Sequence, residues 1–122
     1  MAFHNELGKQ GEDIACEFLR KQGFLILERN WTWFKAEIDI IATFNDLLII
    51  AEVKTRSKYQ HALPDDMLTN KKLRLLYGAT DRYVELKNIT WEVRYDLVTV
   101  IFHGDTWTIE HAKDAFYPFM NT

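Results

Sequence analysis

Two apolar segments follow each other closely in the stretch from Ala36 to Ser57, which reads AEIDIIATFNDLLIIAEVKTRS. Within each segment neighbouring residues are apolar, and not only every second one, so a β-strand formed there would bury both of its faces. A sheet with two buried faces needs helices on both sides. The two segments therefore predict an α/β fold with a sheet at its centre.

The rest of the chain provides helices and further strands for this fold. One helix is predicted over residues 5–22, where apolar and small residues recur at helical spacing and Gly23 stands at the C-cap position. A second helix is predicted over residues 66–87, with Pro64 just before its start. Strands are predicted at 24–33, 37–44, 47–54, 91–102 and 106–110. The expected fold is α/β, with a sheet of about five strands covered by helices on both sides and the element order α-β-β-β-α-β-β.

The length and composition fit a single domain covering residues 1–122. A hydrophobic share of 48% and an aromatic share of 14% are enough to build a core. No segment approaches the roughly 18 continuous apolar residues of a membrane span, and the first residues lack the basic and apolar regions of a signal peptide. We expect a cytoplasmic protein without a membrane partner.

The charges and the cysteine count exclude some classes of protein. Lys and Arg total 15 against 18 Asp and Glu, a net charge of -3, so any binding of nucleic acid must depend on a local basic patch. The single cysteine, Cys16, excludes an internal disulfide and a zinc site built from several cysteines. The histidines do not have the spacing of metal ligands.

The two apolar segments are joined by Asn45 and Asp46, and both residue types tolerate the left-handed backbone that a two-residue hairpin turn requires. With this turn, Phe44 faces Leu47, and each step away from the turn on one strand is matched by a step on the other. Directly opposed residues project from the same face of the sheet, with Cβ atoms roughly 5 Å apart. Continuing this register places Asp39 opposite Glu52 and Glu37 opposite Lys54.

Asp39, Glu52 and Lys54 are therefore predicted to converge. Two adjacent carboxylates repel each other unless a positive charge lies between or beside them. Mg²⁺ or Mn²⁺ would meet this need, because these ions prefer oxygen ligands, take one or two carboxylates and keep waters for a substrate phosphate. Lys54 would then hold the attacking water or stabilise negative charge that develops at phosphorus. The alternative is structural, with Lys54 paired to Glu37 and Glu52 at the end of the sheet and Asp39 in solvent or capping a turn.

The spacing of Asp39 and Glu52-Val53-Lys54 resembles the PD-(D/E)xK signature of restriction-endonuclease-like nucleases, although Ile38 stands where the signature has proline. A fuller resemblance is to the YraN family of small predicted endonucleases, whose fold is similar to that of archaeal Holliday-junction resolvases. This family usually has glycine at the position of Ala36. The residues that carry the resemblance are Gly8-Lys9-x-Gly11-Glu12-x-x-Ala15, Phe18-Leu19, Gly23-Phe24, Asn30-Trp31, EIDIIA at 37–42 and EVKTRS at 52–57.

The resemblance implies a restriction-endonuclease-like fold, with a central mixed sheet flanked by a helix on each side. It also implies Mg²⁺ (or Mn²⁺) as cofactor and DNA as substrate. The implied activity is metal-dependent hydrolysis of DNA phosphodiester bonds, in DNA repair or recombination. Asp39 and Glu52 are the implied metal ligands, Lys54 is their electrostatic partner, and Glu12 resembles the additional acidic residue of the resolvase site. The alternative is a non-catalytic nucleic-acid-binding module that keeps the nuclease fold.

Helical periodicity places two charged residues near this site. Glu12 lies at the edge of the apolar stripe of the first helix and can point toward the end of the sheet, the alternative being a solvated side chain. Lys72 lies within the apolar stripe of the second helix, directed either at the carboxylates and a substrate phosphate or, by snorkelling, at solvent. Outside the site, we expect Asp96 to pair with Arg94 at an end of the sheet.

Several residues around the motif suit a nucleic acid. Basic and hydroxyl side chains that directly follow the motif fit phosphate oxygens, and the aromatic residues of the first strand either stack on unpaired bases or belong to the core or to a dimer surface. The expected partner is DNA, branched or single-stranded, and a homodimer is expected if two sites must face two strands. The phosphate-binding candidates are Arg56, Ser57 and Lys58, together with Lys72, and the aromatic candidates are Trp31, Trp33 and Phe34.

Overall fold

A computed structural model describes residues 2–57 and 69–116 of the chain. The predicted fold class and element order are confirmed, because two helices flank a sheet of five strands. Neither described helix is long and apolar enough to cross a membrane. The elements are α1 (Ala2–Lys21), β1 (Leu25–Trp33), β2 (Ala36–Phe44), β3 (Leu47–Ser57), α2 (Asn70–Leu86), β4 (Glu92–His103) and β5 (Thr106–Phe116).

The strands lie side by side in chain order from β1 to β5. The pairs β1–β2, β2–β3 and β4–β5 are antiparallel, whereas β3 and β4 are parallel. Parallel neighbours need a crossover connection, and here the crossover contains α2. The sheet is therefore mixed, as predicted.

Both faces of the sheet are buried at its central strands, as the apolar segments predicted. α1 packs on one face and α2 on the other, and each covers its own set of strand residues. The α1 cluster contains Ala15, Cys16, Leu19, Phe24, Ile40, Ala42, Ile49, Ala51, Val98 and Val100. The α2 cluster contains Ala36, Ile38, Ile41, Leu48, Ile50, Leu76, Tyr77, Ala79, Tyr83 and Tyr95.

The turn between β2 and β3 has the predicted form. Asn45 has a φ of 49° and Asp46 a φ of 64°, as a type I′ hairpin turn requires at both central positions. The ladder that starts at this turn follows the predicted register and ends at the pair Ile40–Ala51. It stops one position before the predicted pair of carboxylates, so the backbone of the hairpin is irregular where the candidate site begins.

Three predicted boundaries were wrong, those of α2, β3 and β5. α2 begins at Asn70 and not at residue 66, because the Oγ1 of Thr69 caps the helix by accepting the N–H of Lys72 at 3.2 Å. Pro64, which was predicted to stand just before the helix, lies outside the described residues. β3 continues to Ser57 and not only to residue 54, because it stays paired with β4 up to that point.

β5 continues to Phe116, well beyond the predicted end at residue 110, because a buried carboxylate supports its irregular last part. Asp96 is fully buried and accepts hydrogen bonds from Arg94 (2.9 Å from both Nε and Nη2), from His111 Nε2 (2.8 Å) and from the N–H of Asp114 (3.0 Å). Burial alone raises the pKa of Asp96, but these partners lower it to about 2. The predicted pair of Arg94 and Asp96 is confirmed, inside β4 and not at an end of the sheet.

α1 lies close against β3 where Gly11 faces Thr55. Gly11 is buried, and a Cβ atom there would clash with Thr55 Oγ1 and lie 3.2 Å from Thr55 Cβ. The close approach therefore requires glycine. Because Glu12 is the next residue, this contact also determines how near its side chain comes to the sheet.

Candidate active site

β2 and β3 separate just beyond their last ladder pair, and two carboxylates replace the missing backbone hydrogen bonds. The N–H of Asp39 donates to Glu52 Oε2 at 3.2 Å, and the N–H of Val53 donates to Asp39 Oδ2 at 2.8 Å. Each carboxylate thus binds the backbone of the opposite strand, which holds the two side chains next to each other. The structure brings Asp39 and Glu52 together, through side chains and not through a regular ladder pair.

Asp39 lies where β2 changes the faces to which its side chains point. Ile38 packs in the α2 cluster, whereas Ile40 packs in the α1 cluster. In a regular strand, residues two positions apart share a face. β1 is irregular at the same level, because Asn30, between the pairs that flank Asp39, has a φ of 52°. The carboxylate of Asp39 can therefore reach across the gap between the strands to Val53.

The surroundings of the two carboxylates disfavour their charged forms. Burial raises the pKa of Asp39 to about 7. The hydrogen bond from the N–H of Val53 lowers this pKa, whereas the charges of Glu12 and Glu37 raise it. Burial and then the charge of Asp39 raise the pKa of Glu52 well above its usual value. A bound cation would act in the opposite direction on both groups, so the pair is suited to hold one.

A cleft of about 340 Å³ opens beside the carboxylates on the α2 side of the sheet. Lys54 shares this cleft with Glu52, as the alternation of side chains along β3 predicted. Lys72, in the first turn of α2, also lines the cleft and is exposed to solvent there. The basic residues that line the cleft are Lys35, Lys54, Arg56 and Lys72.

Glu12 lies in a second hollow, on the α1 side, together with Lys9, Arg29 and Glu37. Its Oε1 is 3.9 Å from Arg29 Nη2. The charge of Glu12 reaches both carboxylates of the pair, since it contributes to their raised pKa values. In residues 2–57 and 69–116, however, no three His, Cys, Asp or Glu side chains are grouped to hold a metal ion. Glu12 is therefore a charged neighbour of the acidic pair.

Glu37 was missing from the predicted site. It lines both the cleft and the second hollow, and its charge raises the pKa values of Asp39 and Glu52. The signal was present in the sequence, because the register that put Asp39 opposite Glu52 also put Glu37 opposite Lys54. The hairpin thus carries a third carboxylate into the site.

Some predicted residues do not lie at the cleft. Ser57 lines a separate hollow beside the start of α1, and Lys58 lies outside the described residues. Trp31 and Trp33 pack against the α2 cluster, so they belong to the core, which was the alternative to stacking on bases. Phe34, in contrast, is 87% exposed.

The donor atoms fit Mg²⁺ or Mn²⁺. These ions bind one or two carboxylates and keep several water ligands, so Asp39 and Glu52 are sufficient as protein ligands. A tetrahedral zinc site needs three or four protein ligands, and the described part of the chain offers no such group. The carboxylate oxygens of Asp39 and Glu52 are hard donors, and the raised pKa values of the two groups favour a nearby cation. Both properties are consistent with Mg²⁺ or Mn²⁺.

The fold and the site define a class of small α/β proteins in which two separating strands of a mixed sheet hold interlocked carboxylates beside a basic cleft. A family model described as "Uncharacterised protein family UPF0102" matches residues 11–100, a span that contains Glu12, Asp39, Glu52 and Lys54. The chain belongs to this family. The predicted resemblance to YraN-like proteins is thereby confirmed at the level of the family.

Relatives from several bacteria match nearly the whole chain. A UPF0102 protein of Flavobacterium psychrophilum is 48% identical over 119 residues, which are 98% of this chain and 100% of the relative. A UPF0102 protein of Bacteroides fragilis is 48% identical over 118 residues, and one of Phocaeicola vulgatus is 42% identical over 118 residues. In both cases the match covers 97% of this chain and 98% of the relative. None of these names states an activity.

Proposed function

We propose that this protein is an endonuclease that hydrolyses DNA phosphodiester bonds with Mg²⁺ or Mn²⁺. The main support is the interlocked pair of Asp39 and Glu52, whose raised pKa values favour a bound cation. The buried carboxylate of Asp96 makes a useful contrast, because its hydrogen-bond donors lower its pKa to about 2 and serve to join two strands. The surroundings of Asp39 and Glu52 instead raise their pKa values and suit a ligand that carries positive charge.

The side chains around the pair would act as follows. Asp39 and Glu52 hold the cation through carboxylate oxygens, and the backbone of the opposite strand orients each of them. When bound, the cation acts as a Lewis acid toward the phosphate and lowers the pKa of a water molecule. Lys54, which lines the same cleft, stabilises the negative charge that grows on the phosphate oxygens as water attacks. Glu12 orients water from the α1 side.

The basic residues of the cleft would hold the DNA backbone. Arg56 and Lys72 border the same cleft as the acidic pair, and Lys35 lies in the turn between β1 and β2. Contacts to phosphate oxygens position a nucleic acid without reading its sequence. The net charge of the chain is -3, so this attraction must be local to the cleft. Lys58 stays a predicted phosphate contact.

Cleavage of fluorescently labelled single-stranded, duplex and branched DNA with Mg²⁺ or Mn²⁺ tests the proposal. We expect the wild type to cut at least one of these substrates, and Asp39→Asn, Glu52→Gln and Lys54→Ala to lose the activity. Asp46→Asn is the matched control, because it makes the same change at the turn of the same hairpin, where asparagine suits the φ of 64°. Cleavage that survives Asp39→Asn, or no cleavage of any substrate, would contradict the proposal.

A second function, a non-catalytic nucleic-acid-binding module, is favoured by one observation. Only two carboxylates, Asp39 and Glu52, are interlocked, and the described residues contain no group of three metal-ligating side chains. Such a module would bind DNA in the presence of a chelator and cleave nothing with either ion. Asp39→Asn would then strengthen DNA binding, because it removes a negative charge beside the basic cleft.

A further inference from the structure

The turn between β1 and β2 exposes an aromatic side chain at a position that disfavours it. Trp33 pairs with Ala36, so Phe34 and Lys35 form a two-residue turn. Phe34 has a φ of 54° and is 87% exposed. A positive φ is unusual for a bulky residue, and glycine or asparagine is the common choice in such a turn. Neither burial nor backbone preference explains the phenylalanine, and strained positions of this kind often serve function.

The ring of Phe34 is supported by a neighbouring tryptophan, and the next residue in the chain lines the candidate active site. Its centroid is 4.7 Å from that of Trp33, at an interplanar angle of 46°, and Trp33 itself packs against the α2 cluster. Lys35, the next residue, lines the cleft that contains Asp39 and Glu52. The turn therefore carries an exposed, supported aromatic ring next in sequence to Lys35, a positively charged residue of the cleft.

The charges around the turn favour a nucleobase over an apolar protein surface as the occupant. On one side the ring adjoins the basic cleft through Lys35. On the other side it borders a hollow with Asp81, Arg82 and Glu85, where Arg82 and Glu85 form an ion pair at 2.6 Å. A single ring between charged regions offers little apolar area to a protein, whereas base stacking needs only one ring face and a neighbouring contact for phosphate.

We propose that Phe34 stacks on an unpaired base of the DNA substrate, so that the preferred substrate has unpaired bases near the cleaved bond. This inference rests on the proposed function. Phe34 and Asp39 are five positions apart in the chain. At a strand rise of about 3.4 Å per residue, their backbone positions are at most about 17 Å apart. The stacked base would then lie within about five nucleotides of the cleaved bond, at roughly 3.4 Å per step of duplex.

The test is a binding titration in chelator with DNA that carries 2-aminopurine at an unpaired position, one to six nucleotides from a duplex end. We expect the wild type to change the 2-aminopurine fluorescence. Phe34→Gly should weaken binding of this DNA by about 5- to 150-fold, while binding of the fully paired duplex stays unchanged. Phe34→Trp should restore the affinity, since tryptophan also stacks. Melting curves of Phe34→Gly should show a fold at least as stable as the wild type, because glycine relieves the positive φ.

Trp91→Ala is the matched control. Trp91 is 43% exposed and precedes Glu92, which pairs with Leu47 at the opposite end of β3 from the cleft. This variant should bind both DNA molecules like the wild type. Gel filtration of Phe34→Gly separates a second possibility, since a change in oligomeric state without a change in fluorescence would assign the ring to a protein interface and overturn the proposal.

Other outcomes separate this inference from the proposed function. The stacking role would be overturned if Phe34→Gly bound both DNA molecules with the affinities of the wild type, if it lost affinity for both in parallel, or if the wild type bound no DNA. If Phe34→Gly cleaves DNA with Mn²⁺ and keeps the substrate preference of the wild type, the stacking role is overturned while the nuclease function stands. A stacking signal in a wild type that cuts no DNA would reject the nuclease and retain the stacking role.

Discussion

Asp39 and Asp96 lie in the same sheet, and their neighbours affect them in opposite ways. Burial raises the pKa of both carboxyl groups, but Asp96 is surrounded by hydrogen-bond donors that lower its pKa to about 2. Asp39 accepts the N–H of Val53 and lies beside Glu52, and its pKa is raised to about 7. Asp96 therefore stabilises the fold by itself, whereas Asp39 needs a proton or a cation.

Divalent metal ions should stabilise the wild type more than Asp39→Asn. In chelator, Asp39→Asn should melt no lower than the wild type. Its free energy of unfolding should be higher by an amount on the order of 1 kcal/mol, because the substitution removes the repulsion between the two carboxylates. Mg²⁺ or Mn²⁺ should raise the melting temperature of the wild type, since a ligand that binds only the folded state stabilises it. Asp39→Asn should gain little, and Lys54→Ala should keep the metal-induced shift. Thermal melts of the three proteins with and without metal measure this.

Asp46→Asn is the control for these melts, because it removes one aspartate charge from the same hairpin without touching the pair. It should show the full metal-induced shift. Equal shifts in the wild type and in Asp39→Asn would exclude Asp39 as a ligand. The absence of a shift in all four proteins would favour the non-catalytic module.

The raised pKa of Asp39 also predicts a pH dependence of stability without divalent ions. An unfolded aspartate titrates near a pKa of about 3.9, and Asp39 in the folded protein titrates at about 7. Between these values the folded state keeps a proton that the unfolded chain has lost, so this contribution to stability is full below about pH 4 and is lost as the pH rises through about 7. Urea unfolding in chelator from pH 5 to pH 8 should show the wild type losing stability relative to Asp39→Asn. A difference that stays constant over this range would contradict the raised pKa.

At the scale of elements, the distance between α1 and β3 depends on Gly11, which has no side chain. Gly11 is buried against Thr55, and a Cβ atom would clash with the threonine hydroxyl. Threonine is branched at Cβ and has limited freedom to move away. The helix therefore approaches the sheet only because residue 11 is glycine, and the position of Glu12 depends on the same contact.

Gly11→Ala should lower the free energy of unfolding by about 1–3 kcal/mol, the usual effect of overpacking a well-packed contact. The double variant Gly11→Ala with Thr55→Ala should recover part of this loss, because the clashing hydroxyl and methyl groups are removed. Gly8→Ala is the matched control in the same helix, since no atom lies within 4 Å of a Cβ there, and it should be neutral or stabilising. Chemical denaturation of the four proteins measures the effects. A loss for Gly8→Ala equal to that for Gly11→Ala would contradict the role of the contact.

At the scale of the whole molecule, the distribution of charge matters more than its sum. The chain carries a net charge of -3, yet the cleft beside the acidic pair is lined by Lys35, Lys54, Arg56 and Lys72. A nucleic acid would be repelled weakly by most of the surface and attracted at one place. Binding to DNA should therefore be sensitive to salt, and single lysines in the cleft should have measurable effects.

Lys72→Ala should weaken DNA binding and reduce the slope of log K against log salt concentration by about 0.9 for duplex DNA, the value for one phosphate contact. Lys21→Ala is the matched control, because Lys21 ends α1 on the side of the sheet where Gly23 meets Phe44, away from the cleft. It should leave the slope unchanged. Titrations at several salt concentrations measure both variants, and an equal change in the two slopes would reject a specific contact by Lys72.

Much of the fold follows from local patterns in the sequence. The turn residues Asn45 and Asp46 set the register of the hairpin, and that register is enough to predict that Asp39 lies next to Glu52. The alternation of side chains also places Arg56 on the face of Lys54 and leaves Ser57 on the other, so the prediction of Ser57 as a phosphate contact at the cleft conflicted with the strand's own periodicity. These features depend on the geometry of a single strand or turn, and a short window of sequence contains all the residues involved.

The tertiary structure decided what depends on contacts between distant parts of the chain. The ladder of β2 and β3 ends where the Asp39 carboxylate binds the N–H of Val53, and β5 is lengthened where Asp96 binds the N–H of Asp114. The nearness of Glu12 to the acidic pair depends on the packing of Gly11 against β3. Periodicity identifies the face of an element but not its distance from a neighbour, because that distance is determined by how side chains remote in sequence fit together.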